Sequence, residues 1–118
     1  MPKIMVVDDN QFMRKRIAKV LGGKGYEVVE ASDGDEAVKM FKMSRPDASL
    51  LDVVMPNKDG LEALQEIRDI DRRAKVVMLT ALSQQAVMVK AVQLGAKDFL
   101  TKPVVPDKLL DTLNKLLG

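Results

Sequence analysis

Five times along this chain a short apolar run gives way to a longer stretch in which apolar residues recur at every third or fourth position. The first run is Lys3-Ile4-Met5-Val6-Val7, ended by Asp8-Asp9-Asn10, residues that favour turns and helix caps. From Met13 the apolar positions fall at Ile17, Val20 and Leu21, one face of a helix, while Arg14, Lys15, Arg16 and Lys19 take the remainder. Gly22-Gly23-Lys24-Gly25 stops that helix. Tyr26-Glu27-Val28-Val29-Glu30 predicts a second strand, shorter of apolar residues and therefore at an edge. Ser32 and Asp33 offer caps for a second helix with Ala37, Val38 and Phe41 inward, and Pro46 bars its continuation.

The run Ser49-Leu50-Leu51-Asp52-Val53-Val54-Met55-Pro56 predicts a third strand buried on both faces, interrupted by one carboxylate where it leaves the core. After Pro56-Asn57-Lys58-Asp59-Gly60, a loop by composition, Leu61, Leu64 and Ile67 mark a third helix. Lys75-Val76-Val77-Met78-Leu79 predicts a fourth strand ending at Thr80, and Ser83 opens a fourth helix running to about Leu94. Its apolar residues (Ala86, Val87, Met88, Val89, Ala91, Val92, Leu94) exceed what one buried face requires. Gly95 closes it. Ala96-Lys97-Asp98-Phe99-Leu100-Thr101 is a fifth strand, followed by Lys102-Pro103 and a helix with Leu109, Leu110, Leu113, Leu116 and Leu117 on one stripe.

Strands alternating with helices, each crossover too long for a hairpin, predict an α/β fold: a doubly wound, five-stranded parallel sheet of (βα)5 type. At 118 residues, with no linker or repeat, residues 1–118 read as a single domain.

Composition then narrows the chemistry. Cys and His are both absent, which removes disulfides, zinc-type ligation and every His-based triad. The 19 Lys and Arg against 17 Asp and Glu give a net charge of +2, and only one Tyr, three Phe and no Trp are available for base stacking. That makes no case for direct nucleic-acid binding. No apolar run is long enough to cross a bilayer, so no membrane insertion is expected, and Met1-Pro2-Lys3 opens into a strand rather than a signal peptide, which predicts a cytoplasmic protein.

In a parallel sheet of this kind all strand C-termini emerge on one edge. Asp8 and Asp9 follow the first strand, Asp52 ends the third, Thr80 the fourth, and Lys102 follows the fifth. Each has an ordinary role when taken singly: helix cap, turn aspartate, strand threonine, solvated lysine. Their convergence on one rim points to chemistry. Clustered carboxylates repel unless a cation neutralises them, and all-oxygen ligation suits Mg²⁺ or Mn²⁺, with Asp8 and Asp9 as the metal ligands. Asp52 can then act as an oxygen nucleophile towards phosphorus, with Lys102 supplying charge and Thr80 a hydrogen bond to the phosphoryl oxygens.

At these residues the chain resembles a response-regulator receiver domain of two-component signalling, and within that family it is most similar to the stand-alone chemotaxis type. The matching motifs are Val7-Asp8-Asp9, Leu51-Asp52 with Met55-Pro56, Asp59-Gly60, Thr80-Ala81, Gly95-Ala96 and Lys102-Pro103, with Met13-Arg14 typical of the chemotaxis branch. The resemblance implies the flavodoxin-like strand order 2-1-3-4-5. It implies that Asp52 accepts a phosphoryl group from a histidine kinase, a phosphotransfer protein or a small phosphodonor. It further implies Mg²⁺ held by Asp8, Asp9, Asp52 and the backbone carbonyl of Val54, with Thr80 and Lys102 on the phosphoryl group. Phe99 takes the place of the aromatic switch residue, and the Lys102-Pro103 peptide is implied to be cis.

The chain departs from the pattern in four places. Phe99 lacks a tyrosine hydroxyl, Val104 stands where Phe is frequent, and Val54 and Leu82 are apolar where relatives often carry side chains that orient the hydrolytic water. Slow self-dephosphorylation is the expectation from the last two.

A phosphatase of the haloacid dehalogenase type is the rival from another class, but it needs a second Asp two residues after the nucleophile, where Val54 stands. Gly22-Gly23-Lys24-Gly25 follows a helix rather than a strand and lacks the Ser or Thr of a phosphate loop. Arg14, Lys15, Arg16 and Lys19 read as a solvated helix face, suited by position to docking a histidine kinase or phosphotransfer domain. In receivers the face formed by the fourth helix, fifth strand and fifth helix reads out phosphorylation, towards a flagellar motor switch or a homodimer. The absence of linker residues after Leu117 favours a complete single-domain regulator over a receiver cut from a transcriptional regulator or hybrid kinase.

Overall fold

The computed structural model describes the backbone of all 118 residues and the side chains of all but Leu82 and Gln85. In chain order it contains β1 (Lys3–Val7), α1 (Gln11–Gly23), β2 (Glu27–Ala31), α2 (Gly34–Ser44), β3 (Ala48–Asp52) and α3 (Gly60–Ile70). Then follow β4 (Val76–Thr80), a 3-10 turn at Leu82–Gln84, α4 (Gln85–Gln93), β5 (Asp98–Thr101) and α5 (Pro106–Leu117). All strand pairs are parallel, in the order β2-β1-β3-β4-β5. The expected (βα)5 sheet and its strand order are therefore present. Among the described residues no helix is long and apolar enough to cross a membrane.

Alternate residues of the central strands supply two cores, as a sheet covered on both faces requires. Ile4, Val6, Leu50, Val77 and Leu79 pack with Ile17, Leu21, Leu109 and Leu113 under α1 and α5. Met5, Val7, Leu51 and Met78 pack with Phe41, Leu64, Ile67 and Met88 under α2, α3 and α4. Each large apolar side chain buried in this way contributes roughly 1.5–3 kcal/mol. Together they outweigh the cost of the few charged groups drawn inside at one rim.

Element ends follow their caps. Asn10, not Asp8 or Asp9, begins α1 by accepting from the Met13 amide at 3.1 Å. Asp33 caps α2 through the Glu36 amide, while Ser32 instead donates its own amide to Glu36 Oε1, a close variant of the capping box. Asp59, within the segment that composition marks only as loop, caps α3. The fourth helix starts two residues later than Ser83, because the preceding turn closes through Gln84 accepting from the Ala81 amide. β2 is shifted by one residue from Tyr26–Glu30, since Tyr26 spends its amide on the Leu21 carbonyl at the end of α1.

The surplus apolar residues of α4 are not absorbed by the core: Met88 and Ala91 are buried, but Val89 and Val92 are exposed. Val104, where a larger side chain is frequent in the resembled family, lines a small cavity of about 20 Å³ with Met13, Ile17, Val20 and Leu109.

Candidate functional site

Strand register builds the site. Val7 of β1 lies opposite Leu51 of β3, so the residues that follow, Asp8 and Asp52, come side by side at the end of the sheet. Thr80 lies opposite Thr101, so Lys102 leaves β5 next to the end of β4, with its amide bonded to the Thr80 carbonyl at 2.8 Å. Carboxylate oxygens of Asp8, Asp9 and Asp52 all lie within 4.8 Å of one another. Asp8 and Asp52 are buried, while Asp9 is exposed at the mouth.

Lys102 is the cation facing this cluster. Its Nζ lies 2.9 Å from Asp52 Oδ2 and 3.3 Å from Asp8 Oδ2. Both contacts are ion pairs without hydrogen-bond geometry, and among the described residues Asp8 Oδ2 is the buried side-chain oxygen left without a hydrogen-bond partner. Burial, with the charge of Asp8 beside it, pushes the Asp52 carboxyl up to about 6 despite the opposing pull of Lys102. Burial works against charge on Lys102, but its close pairing with Asp52 and the nearby charge of Asp8 prevail and raise its pKa as well. Carboxyl and ammonium thus shift in the same direction. Three carboxylates converge on the single Lys102 ammonium, an excess of negative charge in a largely buried pocket.

Those properties answer whether a metal ion suits these residues. An orphaned buried oxygen, three converging carboxylates and no nitrogen or sulfur donor fit a hard divalent cation such as Mg²⁺. Val54, two residues beyond Asp52, is exposed, and among the described residues no backbone amide donates to its carbonyl.

The remaining predicted residues are found as follows. Thr80 is buried at the end of β4, and its hydroxyl donates to the Ala81 carbonyl at 3.1 Å rather than to an acidic group. Phe99 on β5 is 46% exposed, its ring lining an open groove with Leu100, Thr101, Lys102 and Pro103. The Lys102-Pro103 peptide is cis. The side chain of Leu82 lies outside the described residues.

One expectation is corrected. Arg14 does not belong to the solvated face of α1: its side chain is only 13% exposed, with Nε 2.9 Å from Glu30 Oε1 and Nη1 donating to the Asp8 carbonyl at 2.8 Å. It thereby ties α1 to the end of β2 and fixes the backbone of the acidic pair. Lys15 also reaches Glu30, at 3.0 Å, but stays exposed. Although partial burial works the other way, bonds from Lys15 and Arg14 hold the Glu30 carboxyl below its usual value. The signal in the sequence was Glu30 itself, a charge at the end of a strand beside the acidic turn. Gln84, which caps the turn after Thr80, and Asn57, whose amide donates to Asp33 at 2.8 Å, also escaped sequence reasoning. Neither lies in a recognisable motif.

With this geometry in view, comparison with known proteins is informative. The response regulator receiver domain family matches residues 4–114. The chemotaxis protein CheY of Bacillus subtilis is 44% identical over 117 residues, covering 98% of each chain. CheY of Listeria monocytogenes is 46% identical over 116 residues, again covering 98% of each. Among solved structures, the chemotaxis protein CheY4 of Vibrio cholerae superposes with a TM-score of 0.92 at 32% identity, over 98% of both chains.

Proposed function

The chain belongs to the response regulator receiver family, and from that membership we propose that residues 1–118 form one receiver domain, a phosphorylation-dependent switch working in the cytoplasm with Asp52 as phosphoryl acceptor. Members of this family are signalling switches rather than turnover enzymes. The observation that carries the proposal is the junction of Asp8, Asp9, Asp52 and Lys102 at one sheet edge, with negative charge in excess.

In this reading a carboxylate oxygen of Asp52 attacks phosphorus, the bond from phosphorus to the donor nitrogen or oxygen breaks, and the leaving group departs with the electron pair. Asp8, Asp9, Asp52 and the Val54 carbonyl would hold Mg²⁺ or Mn²⁺, which would supply positive charge for the phosphoryl oxygens. Lys102 transfers its ammonium from the Asp52 carboxylate to the phosphoryl group. Thr80 exchanges its bond to the Ala81 carbonyl for one to a phosphoryl oxygen, and Phe99 reports that movement through its rotamer. The exposed apolar residues Val89, Val92, Phe99 and Val105 suit α4, β5 and α5 to hand the change to an output partner, of chemotaxis type such as the flagellar motor switch, or to a second copy.

The test is incubation with acetyl phosphate and Mg²⁺, following intact mass and donor consumption together. One phosphoryl adduct per chain with slow further consumption is expected. Rapid continuing hydrolysis with no adduct would instead indicate a phosphatase, which the apolar side chain of Val54 argues against because it offers no general base.

Two further outcomes follow from the surroundings of Asp52. Val54 exposes an apolar side chain beside the acceptor, where an attacking water finds no partner. Val54→Asn combined with Leu82→Glu is expected to shorten the phosphoryl lifetime by about tenfold; an unchanged lifetime contradicts this account. On α1, exposed Phe12 sits among Gln11, Lys15, Arg16 and Lys19 along a shallow groove, suited to the acidic surface of a histidine kinase or phosphotransfer protein. Charge reversal at Lys15 and Lys19 is expected to slow transfer from such a protein by about tenfold at low salt, with acetyl phosphate still used normally. Equal transfer rates for variant and wild type rule that docking out.

A further inference from the structure

The loop between β3 and α3 carries Val54 and is held at two points. At its root the Gly60 amide donates to the Val53 carbonyl at 2.8 Å. At its tip Asn57 adopts a left-handed backbone, φ 67°, which Asn tolerates better than most residues, and its side-chain amide donates to Asp33 Oδ2 at 2.8 Å. The other oxygen of Asp33 accepts from the Glu36 amide at 2.8 Å and caps α2. Asp33 therefore divides its carboxylate between a helix and a loop distant in sequence.

Two neighbouring features reinforce the same junction. Gly34, the first residue of α2, approaches the loop so closely that a Cβ there would lie 2.1 Å from the Lys58 carbonyl oxygen. Lys58 in turn pairs with Asp35 at 3.3 Å and with Glu66 on α3. The loop that leaves the phosphoryl acceptor is thus anchored to the start of α2.

We propose that the Asn57–Asp33 hydrogen bond is a positioning element for the cation site: by fixing the loop tip it holds Val54 where its carbonyl completes the shell around the divalent ion. Asn57 and Asp33 are positioning residues, since neither is among the converging carboxylates. The inference rests on the reading of Asp8, Asp9 and Asp52 as a metal site, and the loop strap is an addition to it. A geometric requirement of this kind matters most for Mg²⁺, which demands near-octahedral ligation and tolerates little displacement of a ligand.

The experiment measures Mg²⁺ affinity by titration calorimetry on the full chain, with unfolding stability recorded separately in metal-free buffer. Asn57→Gly keeps the left-handed turn and removes the donor. Asp33→Ser keeps the α2 cap with a side chain too short to reach the loop. Each is expected to weaken Mg²⁺ binding by about threefold to tenfold, and the double variant no more than either alone, because one bond is lost in all three. The exchange of Asp33→Asn with Asn57→Asp preserves a donor facing an acceptor and is expected to restore affinity to within about twofold of wild type. Wild-type affinity in both single variants overturns the strap while leaving the metal site intact. Losses that add in the double variant, or that the exchange does not rescue, also overturn it, since they report general loosening of the loop. If the wild-type protein itself binds no Mg²⁺, the metal site fails and the strap with it.

Discussion

Asp8→Asn is expected to make the metal-free protein about 1 kcal/mol more stable while weakening its hold on Mg²⁺ by about tenfold or more. Asp8 Oδ2 is buried without a hydrogen bond and shares a buried pocket with Asp52. The carboxyl of Asp52 titrates near 6 when folded, above its ordinary value of 3.8, so proton uptake favours the folded state. Its contribution is full below the unfolded value and is lost as pH rises through about 6. At neutral pH the ionised Asp52 carboxylate therefore works against folding. An amide at residue 8 leaves Asp52 as the one buried carboxylate against the Lys102 ammonium, with Asp9 exposed at the mouth, keeps an acceptor for the Asn10 amide and offers Asp52 a donor. The same change removes a charged oxygen from the cation site. Saturating Mg²⁺ reverses the order, because a ligand at a hundred times its dissociation constant stabilises the protein that binds it by about 2.7 kcal/mol. Thermal unfolding of both proteins with and without Mg²⁺ checks this. A variant less stable than wild type in the absence of the ion contradicts the excess of buried charge.

Gly60→Ala is expected to destabilise the fold by about 3 kcal/mol and to slow acceptance of a phosphoryl group by about tenfold or more. A Cβ at Gly60 would lie 2.1 Å from the Asp52 carbonyl oxygen and 2.8 Å from the Val53 Cα. Both are main-chain atoms, so no side chain can swing aside. Either α3 lifts from the sheet or the end of β3 shifts, and the second displaces the acceptor itself. Gly22 gives the contrast: a Cβ there meets nothing within 4 Å, and Gly22→Ala in the last turn of α1 is expected to gain roughly 0.5–1 kcal/mol. Chemical denaturation of the two variants distinguishes a steric requirement at Gly60 from a general preference for alanine in helices.

Much of the architecture is written in the pattern of apolar residues, because a parallel strand covered on both faces must be a continuous apolar run. β1, β3 and β4 are such runs, and their ends carry Asp8, Asp52 and Thr80 to the rim. The same logic is weaker at the sheet edges. β5 is exposed at three of its four residues and shorter than the run Ala96–Thr101 suggests, because the Ala96 amide closes the end of α4. α4 was recognisable as unusually apolar, but periodicity alone could not tell deeper burial from an exposed surface. The structure leaves Val89 and Val92 in solvent.

The site divides similarly. Acidic residues at strand ends are legible because chain order and a parallel sheet fix where they go. Arg14 was not, because its neighbours Lys15, Arg16 and Lys19 are cations of the same helix. Only the third dimension shows which of the four turns back to Glu30 and the Asp8 carbonyl. Asn57 is hidden for another reason: its partner Asp33 lies 24 residues away and already has a sufficient local role as a helix cap.

The central claim is that Asp52, and neither of the other two clustered carboxylates, takes the phosphoryl group with the help of a divalent cation. Treating the protein with acetyl phosphate, reducing the acyl phosphate with borohydride and mapping the peptides by mass spectrometry tests it most directly. The account predicts conversion of Asp52 to homoserine in the presence of Mg²⁺, none at Asp8 or Asp9, and none anywhere once the ion is chelated. Reduction at Asp8 or Asp9, or equal labelling of Asp52 without a divalent cation, would contradict it.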